Sequence, residues 1–526
     1  MDDLIINPQE PSDASPKPPV PTPAVTGYTY VPPPRYTFPM KKPELIFALL
    51  FLLFAVVMCN GLLFAGANLA FCIGVLGNLF STAGYLCVKK HRPDGYAASL
   101  LLLSALIAAA FPRSADAGLK TIAMLVLLAV PSLAFCLMAG QNRFSVSGIT
   151  SLLDSPRTLF YLGFGRMTEA GRGIKEACSA TGTIGKKGSS VLLGLLIAGP
   201  LLAVVIPLLM FADAAFEGLL NLLPEIRWDE ILLTLIFGIS CGYVLYSRAA
   251  ALEYLPKTGE KPFRSKGMNP ITVNTVLICI GLVYVVYLIS QLAYFAGGFS
   301  GILPEGYTLA QYARRGFFEM AWLCAINLSI IALAAGLVSA QGGTPLSTRL
   351  ICLFLGAVTL FLVATASGKM LLYIDAYGLT RLRVLTEVFM IWMGCTTVLV
   401  CIWLFRPRLP YMKGILLLAL ALYAALMWAD VDAQVARYNV RAYQSGKLET
   451  VDISHLGSLS YSAVPYLQEL TEDTDPLVSE EAAAVLRRQA NNIYQRCEDL
   501  RGWNGPKARA LKILESYKED RTEYRP

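Results

Sequence analysis

Apolar runs of roughly twenty residues, none with a charge at its middle, alternate along this chain with short polar stretches. A run of that length is what crosses about 30 Å of hydrocarbon as an α-helix. The pattern places spans at Leu45–Leu63, Ala67–Val88, Ala97–Phe111, Leu119–Ala139, Val191–Phe211, Ile231–Tyr246, Ile271–Phe295, Phe317–Val338, Leu350–Ala366, Val388–Phe405 and Gly414–Trp428. The period-two alternation of a transmembrane β-barrel is absent. The predicted fold is therefore all-α, a polytopic transmembrane bundle of about eleven spans. The third and last runs are short, which suits tilted or re-entrant helices.

Both flanks of this bundle are polar. Residues 1–40 hold Pro16, Pro18, Pro19, Pro21, Pro23 and Pro32 to Pro34, a composition that favours extended polyproline and buries too little to fold. The expectation is a disordered cytoplasmic head. A PxxP-type contact with a cytoplasmic partner is the more specific alternative. No cleavable signal is legible before Lys41 and Lys42, so the first span of the transmembrane region, 41–429, is expected to target the chain. Residues 430–526 read as a small, mainly helical C-terminal domain. One helix follows Pro476, Gly502 to Gly505 interrupt it, and Pro506 opens a second.

Basic residues set the orientation. Lys41 and Lys42, then Lys89, Lys90 and Arg92, the stretch from Arg143 to Lys187, Arg248 to Lys266, and Arg406, Arg408 and Lys413 fall on alternate loops, which the positive-inside rule makes cytoplasmic. The loop carrying Asp213, Glu217, Glu225, Asp229 and Glu230 is acidic and falls on the other side. An odd span count then places the C-terminus outside the plasma membrane. The same rule accounts for the net charge of +7, because the basic residues form no continuous stripe for nucleic acid. Ten of the 12 Cys sit in apolar runs, as small hydrophobes and not a disulfide framework.

Candidate chemistry is sparse. Ala180 to Lys187 resembles a phosphate loop only superficially, since Ala180 stands where the first glycine belongs and Lys187 where a hydroxyl belongs. The two histidines, His91 and His455, have no companion at metal-ligand spacing, and no cofactor is expected. Gly238 and Gly242 form a GxxxG for close helix packing, and Asn274 and Asn327 suit interhelical hydrogen bonds.

The feature that departs from positive-inside is a set of basic residues at the outer ends: Arg314, Arg315, Lys369, Arg381, Arg383 and Arg437, beside Tyr307, Tyr312, Tyr373, Tyr377 and Tyr438. Lys369, Tyr373, Tyr377 and Arg381 recur at intervals of four along one expected helix face. Snorkelling side chains and aromatic-belt anchors explain such a set. The functional alternative is a site for an anionic envelope or lipid group, formed by Arg314, Arg315, Lys369, Tyr373, Tyr377, Arg381, Arg383 and Arg437.

These stretches also carry a resemblance. Tyr307 to Glu319, Leu372 to Arg383 and Asp432 to Asn439 resemble the signature blocks of the domain-of-unknown-function 4173 family of bacterial polytopic membrane proteins, with Ser458 to Pro465 in weaker support. Two positions depart from its pattern: Asp430-Val431-Asp432 stands where Asn-Pro-Asp is usual, and Ser462 where Asp is usual. The resemblance implies a bacterial envelope protein and adds no reaction. Three functions compete: a non-enzymatic protein that binds or senses an anionic group outside and relays inward, a transporter or lipid flippase, and an enzyme on a lipid-linked substrate using Asp375 or Asp432.

Overall fold

The computed structural model describes residues 36–145, 148–180, 227–257, 267–298, 317–339, 343–493 and 500–518, with isolated positions between 194 and 213. Outside them lie nearly all of the head, the glycine-rich stretch beyond Ala180, most of the fifth expected span, the loop holding Tyr307, Tyr312, Arg314 and Arg315, and the side chains of Cys178 and Cys497. The chain from Thr37 onward forms one unit by its contacts.

The described residues are helical, in the order α1 (Lys42–Phe64), α2 (Leu69–Val88), α3 (Gly95–Ala109), α4 (Ala117–Ala139), α5 (Met167–Ala180), α6 (Trp228–Tyr254), α7 (Pro270–Gly298), α8 (Phe317–Ser339), α9 (Leu346–Tyr377), α10 (Arg381–Phe405) and α11 (Tyr411–Ala429). Five more polar helices follow: α12 (Val431–Gln444), α13 (Ile453–Ser458), α14 (Val464–Leu470), α15 (Pro476–Ile493) and α16 (Gly505–Leu514). Among the described residues nine helices are long and apolar enough to cross a membrane, and α3 is a shorter apolar helix. Aliphatic and aromatic side chains stand bare along them, Val286 at 70% and Trp322 at 71% exposure. Such surfaces suit hydrocarbon, because water would drive them together.

Close packing follows from small residues and polar pairs, since lipid offers no hydrophobic drive to helix association. A Cβ on Gly238 would lie 2.8 Å from Val56 Cα and one on Gly242 2.9 Å from Leu52 Cα, so the GxxxG face is where α6 meets α1. Asn274 bridges α7 to α9, donating to Ser347 Oγ at 3.1 Å and accepting from Thr348 Oγ1 at 2.7 Å. Asn327 accepts from Tyr284 at 2.7 Å and donates to Thr359 at 3.2 Å. Both asparagines are interhelical links.

Two apolar cores result. One holds α7 to α10, through residues such as Leu277, Ile331, Leu355 and Met393. The other runs without a break from Leu100, Ile107 and Leu133 of α3 and α4 to Val435, Leu456, Leu467, Leu486 and Leu514 of the C-terminal helices. Helices α12 to α16 thus share their core with the end of the bundle.

The helix ends sort into two sets. At one end Lys89 bonds Glu44 and Tyr254, His91 approaches Glu253 at 2.7 Å, and Gln141 donates to Leu255 O at 2.8 Å. The basic loops at Lys89 to Arg92, Arg143 and Arg406 to Lys413 belong to this set. At the other, Arg501 reaches Asn60 at 3.0 Å, Trp428 donates to Leu106 O at 2.9 Å, and Gly505 N donates to Pro112 O at 2.8 Å. The C-terminal helices cap this second end.

Candidate functional site

The site is built around the turn between α9 and α10. Helix α9 stops at Tyr377 because Gly378 adopts φ +76° and ψ −178°, a conformation essentially confined to glycine. The expected face through Lys369, Tyr373, Tyr377 and Arg381 is therefore corrected: the first three share α9, whereas Arg381 opens α10 after the turn. Asn439 of α12 clamps this turn, its Oδ1 accepting from Leu379 N at 2.7 Å and its Nδ2 donating to Leu379 O at 2.8 Å.

Two turns earlier on α12 lies Asp432, fully buried. Arg381 grips it as a fork, Nε to Oδ1 at 2.8 Å and Nη2 to Oδ2 at 2.6 Å, and Ser460 N adds a bond to Oδ2 at 2.9 Å. Burial pushes the Asp432 carboxyl up, but the bonds from Arg381 and Ser460 and the Arg381 charge outweigh it, leaving the group below the ordinary carboxylate range. Arg381 Nε also lies 3.0 Å from Asp116 Oδ2. Asp116 caps α4 through its other oxygen, accepting from Gly118 N at 2.7 Å and Leu119 N at 3.1 Å.

One turn into α4, buried Lys120 donates to Asn68 Oδ1 at 2.5 Å, and Asn504 joins the same oxygen at 3.3 Å while donating to Ser114 O at 2.8 Å. Alternating charges on Lys120, Asp116, Arg381 and Asp432 thus link α4, α10 and α12, and amides extend the link to α2 and the start of α16.

The other predicted residues spread over the surface beside this network. Arg383 lies 4.0 Å over the Tyr373 ring and caps α9 by donating to Tyr377 O at 3.0 Å and to Gly378 O. Tyr373 and Tyr377 pack ring to ring at 5.2 Å. Lys369 is two turns deeper along α9. Arg437 is exposed on α12, where Gln434, Arg437, Tyr438, Arg441 and Lys447 line a cleft of about 410 Å³. Lys447 pairs with Asp375 at 2.7 Å, tying the cleft to the end of α9. Among the described residues neither Arg437 nor Arg441 has an acidic partner. Arg314 and Arg315 lie outside the described residues.

Sequence reasoning missed Asp116, Lys120, Arg441 and Lys447. Asp116 was findable, since an aspartate just before an apolar run is an N-cap signal, and Arg441 follows Arg437 by four on an amphipathic helix. Lys120 looked like an ordinary end-of-span lysine, and Lys447 carried no local signal.

A bundle of lipid-suited helices with a helical cap docked on one end defines the class: a polytopic α-helical membrane protein. The chain belongs to the family described as domain of unknown function DUF4153, whose profile matches residues 97–470, well over half of the chain. The blocks quoted above resemble a differently numbered family, 4173, so membership is stated for 4153. No curated protein and no solved structure matches the chain. Among the described residues no cluster of three His, Cys, Asp or Glu side chains could hold a metal ion.

Proposed function

We propose that this protein binds an anionic envelope or lipid group at the extracytoplasmic face of a bacterial plasma membrane and transmits occupancy into the bundle. The supporting observation is that α12 carries both halves of such a device. Its exposed face presents Arg437 and Arg441 without acidic partners, and its buried face holds Asp432 in the charge network. A helix of 14 residues moves as one piece, so a pull on Arg437 reaches Arg381, Asp116 and α4. Lys369, Tyr373, Tyr377 and Arg383 belong to this site in the proposal, Arg381 acts as a positioning residue, and Arg314 and Arg315, which lie outside the described residues, are assigned to it on sequence alone. Kinship with family 4173 belongs to the same reading and rests on the quoted blocks.

The partners of the two aspartates favour this over an enzyme, since Asp432 is taken by Arg381 and Asp375 by Lys447. A transporter or flippase remains the second reading, favoured by the number of apolar helices.

The test uses the full chain in nanodiscs with polyphosphate as soluble probe and phosphatidylglycerol as lipid probe, over a salt series. Losing two forked cations should weaken binding by Arg437→Ala/Arg441→Ala about tenfold, with Arg441→Lys intermediate because Lys lacks the fork. Equal binding by wild type and the double variant at every salt concentration would reject the site.

A further inference from the structure

The sequence pattern makes the chain between α4 and α5 part of a basic loop, yet it folds back along the bundle wall as an elbow. A 3-10 turn (Ile149–Leu153) and a π-helical segment (Arg157–Phe164) lead into α5. Its inner face is tied to two spans. Ser155 donates to Ala129 O of α4, and Tyr243 of α6 donates to Met167 O at 2.6 Å. Leu162 is buried, and a Cβ on Gly163 would lie 3.1 Å from Val244 Cγ1 of α6. These ties lie deep. Helix α6 has 27 residues, about 40 Å, so it exceeds a ~30 Å hydrocarbon core by about 10 Å, whereas Tyr243 is about 17 Å from its last residue. Helix α4 has 23 residues, about 35 Å, and Ala129 is about 15 Å from its end. Even with all the excess length at this end, both ties fall inside the hydrocarbon.

We propose that this elbow is a re-entrant element whose outer face, Leu152, Leu153, Phe160, Tyr161 and Phe164, packs against lipid acyl chains of the leaflet at this end. Phe160 is 61% and Phe164 56% exposed, and the two rings stack at 6.3 Å. The partner follows from continuity with the lipid-suited surface. Helix α4 is bare at Leu125 and Leu128 and buried from Val130 to Cys136, while α6 is bare at Leu233, Leu235 and Phe237 and buried from Tyr246 to Leu252. Where the bare stripes of the spans end, the aromatic face of the elbow takes over. Its polar groups suit that depth, since irregular backbone there must be satisfied by protein. Gly165 N donates to Phe160 O at 3.2 Å, the bond of a π-turn, and the Asp154 carboxylate accepts from Arg143 N and Phe144 N. Arg157 stretches to Gln141 O at 2.7 Å, and Arg166 pairs with Glu169 at 3.0 Å. The proposal needs neither the α12 cleft nor a choice of which end is cytoplasmic.

The test places the photoreactive residue p-benzoylphenylalanine singly at Phe160, Phe164 and Leu153 in the full chain, in phosphatidylcholine nanodiscs. Phe237, bare in the middle of α6, serves as the lipid-facing reference, and Arg408, exposed between α10 and α11, as the aqueous one. After illumination, adducts are mapped by mass spectrometry. Lipid adducts at Phe160 and Phe164 should match those at Phe237 and exceed those at Arg408 roughly tenfold or more, the factor by which burying one Phe side chain shifts its equilibrium. Fragmentation should place them on acyl carbons. A melting profile confirms that each variant is folded, and Leu153 supplies a further position should either Phe variant fail. Three outcomes would each overturn the proposal: adduct yields no higher than at Arg408, adducts confined to the headgroup, and cross-links to residues 181–226 or to a second copy of the chain in place of lipid.

Discussion

Arg381 and Asp432, 51 positions apart, form a two-pronged ion pair with bonds of 2.8 and 2.6 Å, the carboxylate fully buried and the guanidinium about one-third exposed. The pair fixes α12 against the head of α10. Removing the cation leaves two buried carboxylates, Asp432 and Asp116, with backbone N–H partners only, and the cost falls below the roughly 3–5 kcal/mol of a fully buried pair because the guanidinium is partly exposed. Arg381→Ala should therefore loosen the C-terminal helices, seen as earlier proteolytic release of residues beyond Ala429 and a lower first melting transition. Arg381→Lys should fall between, since an ammonium cannot span both oxygens. Wild-type protease resistance in Arg381→Ala would show that the shared apolar core alone holds α12.

Asp430 and Asp432, one on each side of Val431, should respond oppositely to pH. Burial raises the Asp430 carboxyl, and Ser462 and Arg509 offset this only in part. Asp432 is lowered, on balance, by Arg381 and Ser460 against its burial. For Asp432 the stabilisation is present above the unfolded value of about 3.9 and lost as pH falls through its lower folded value. For Asp430 the sign reverses: the folded state holds its proton longer, so stability declines as pH rises from about 3.9 through the raised value. Asp430→Asn should thus raise the neutral-pH melting temperature, helped by the tolerance of Asn for the left-handed backbone at φ +52°. Asp432→Asn should lower it. Matching shifts in the two variants would contradict the assignment.

The helices were legible because each apolar run is long and uncharged at its middle, and ten of the eleven expected spans coincide with described apolar helices. The glycine pair and the two asparagines were legible for a related reason: each role depends on residue type within a span. The site was not, because its partners come from distant segments. Asp432 pairs across 51 positions with Arg381, and Asn504 meets Ser114 across 390. The face drawn through Arg381 failed at Gly378, where one backbone conformation ends a helix that the four-residue spacing carries forward.

Gly378→Ala should be disproportionately damaging for a single methyl group. The φ of +76° with an extended ψ excludes an L side chain at a cost of order 1–3 kcal/mol, and the new Cβ would lie 2.6 Å from Asn439 Oδ1. The clamp on Leu379 must then open. Adding Asn439→Ala should recover only the steric part, leaving the backbone cost. Hydrogen exchange at the Leu379 amide reports this directly: fast in both single variants and slow in wild type. An unchanged rate in Gly378→Ala would remove the clamp from the account.

The end of the bundle capped by α12 to α16 should face away from the cytoplasm. The opposite end carries Lys89, Lys90, Arg92, Arg143, Arg406, Arg408 and Lys413, and cationic residues beside span ends are retained on the cytoplasmic side during insertion. The capped end also carries cations, but Arg381 is neutralised by Asp432 and Asp116, Lys447 by Asp375, and Arg501 by Glu230, so its net bias is weaker than the residue count suggests. Two exposed positions make the comparison, Ser445 after α12 and Arg408 between α10 and α11. In spheroplasts an impermeant maleimide should modify Ser445→Cys at once and Arg408→Cys only after lysis, against the background of the unsubstituted chain. The reverse order would invert the bundle in the membrane, move the α12 cleft to the cytoplasm, and exclude an extracytoplasmic anion as its ligand.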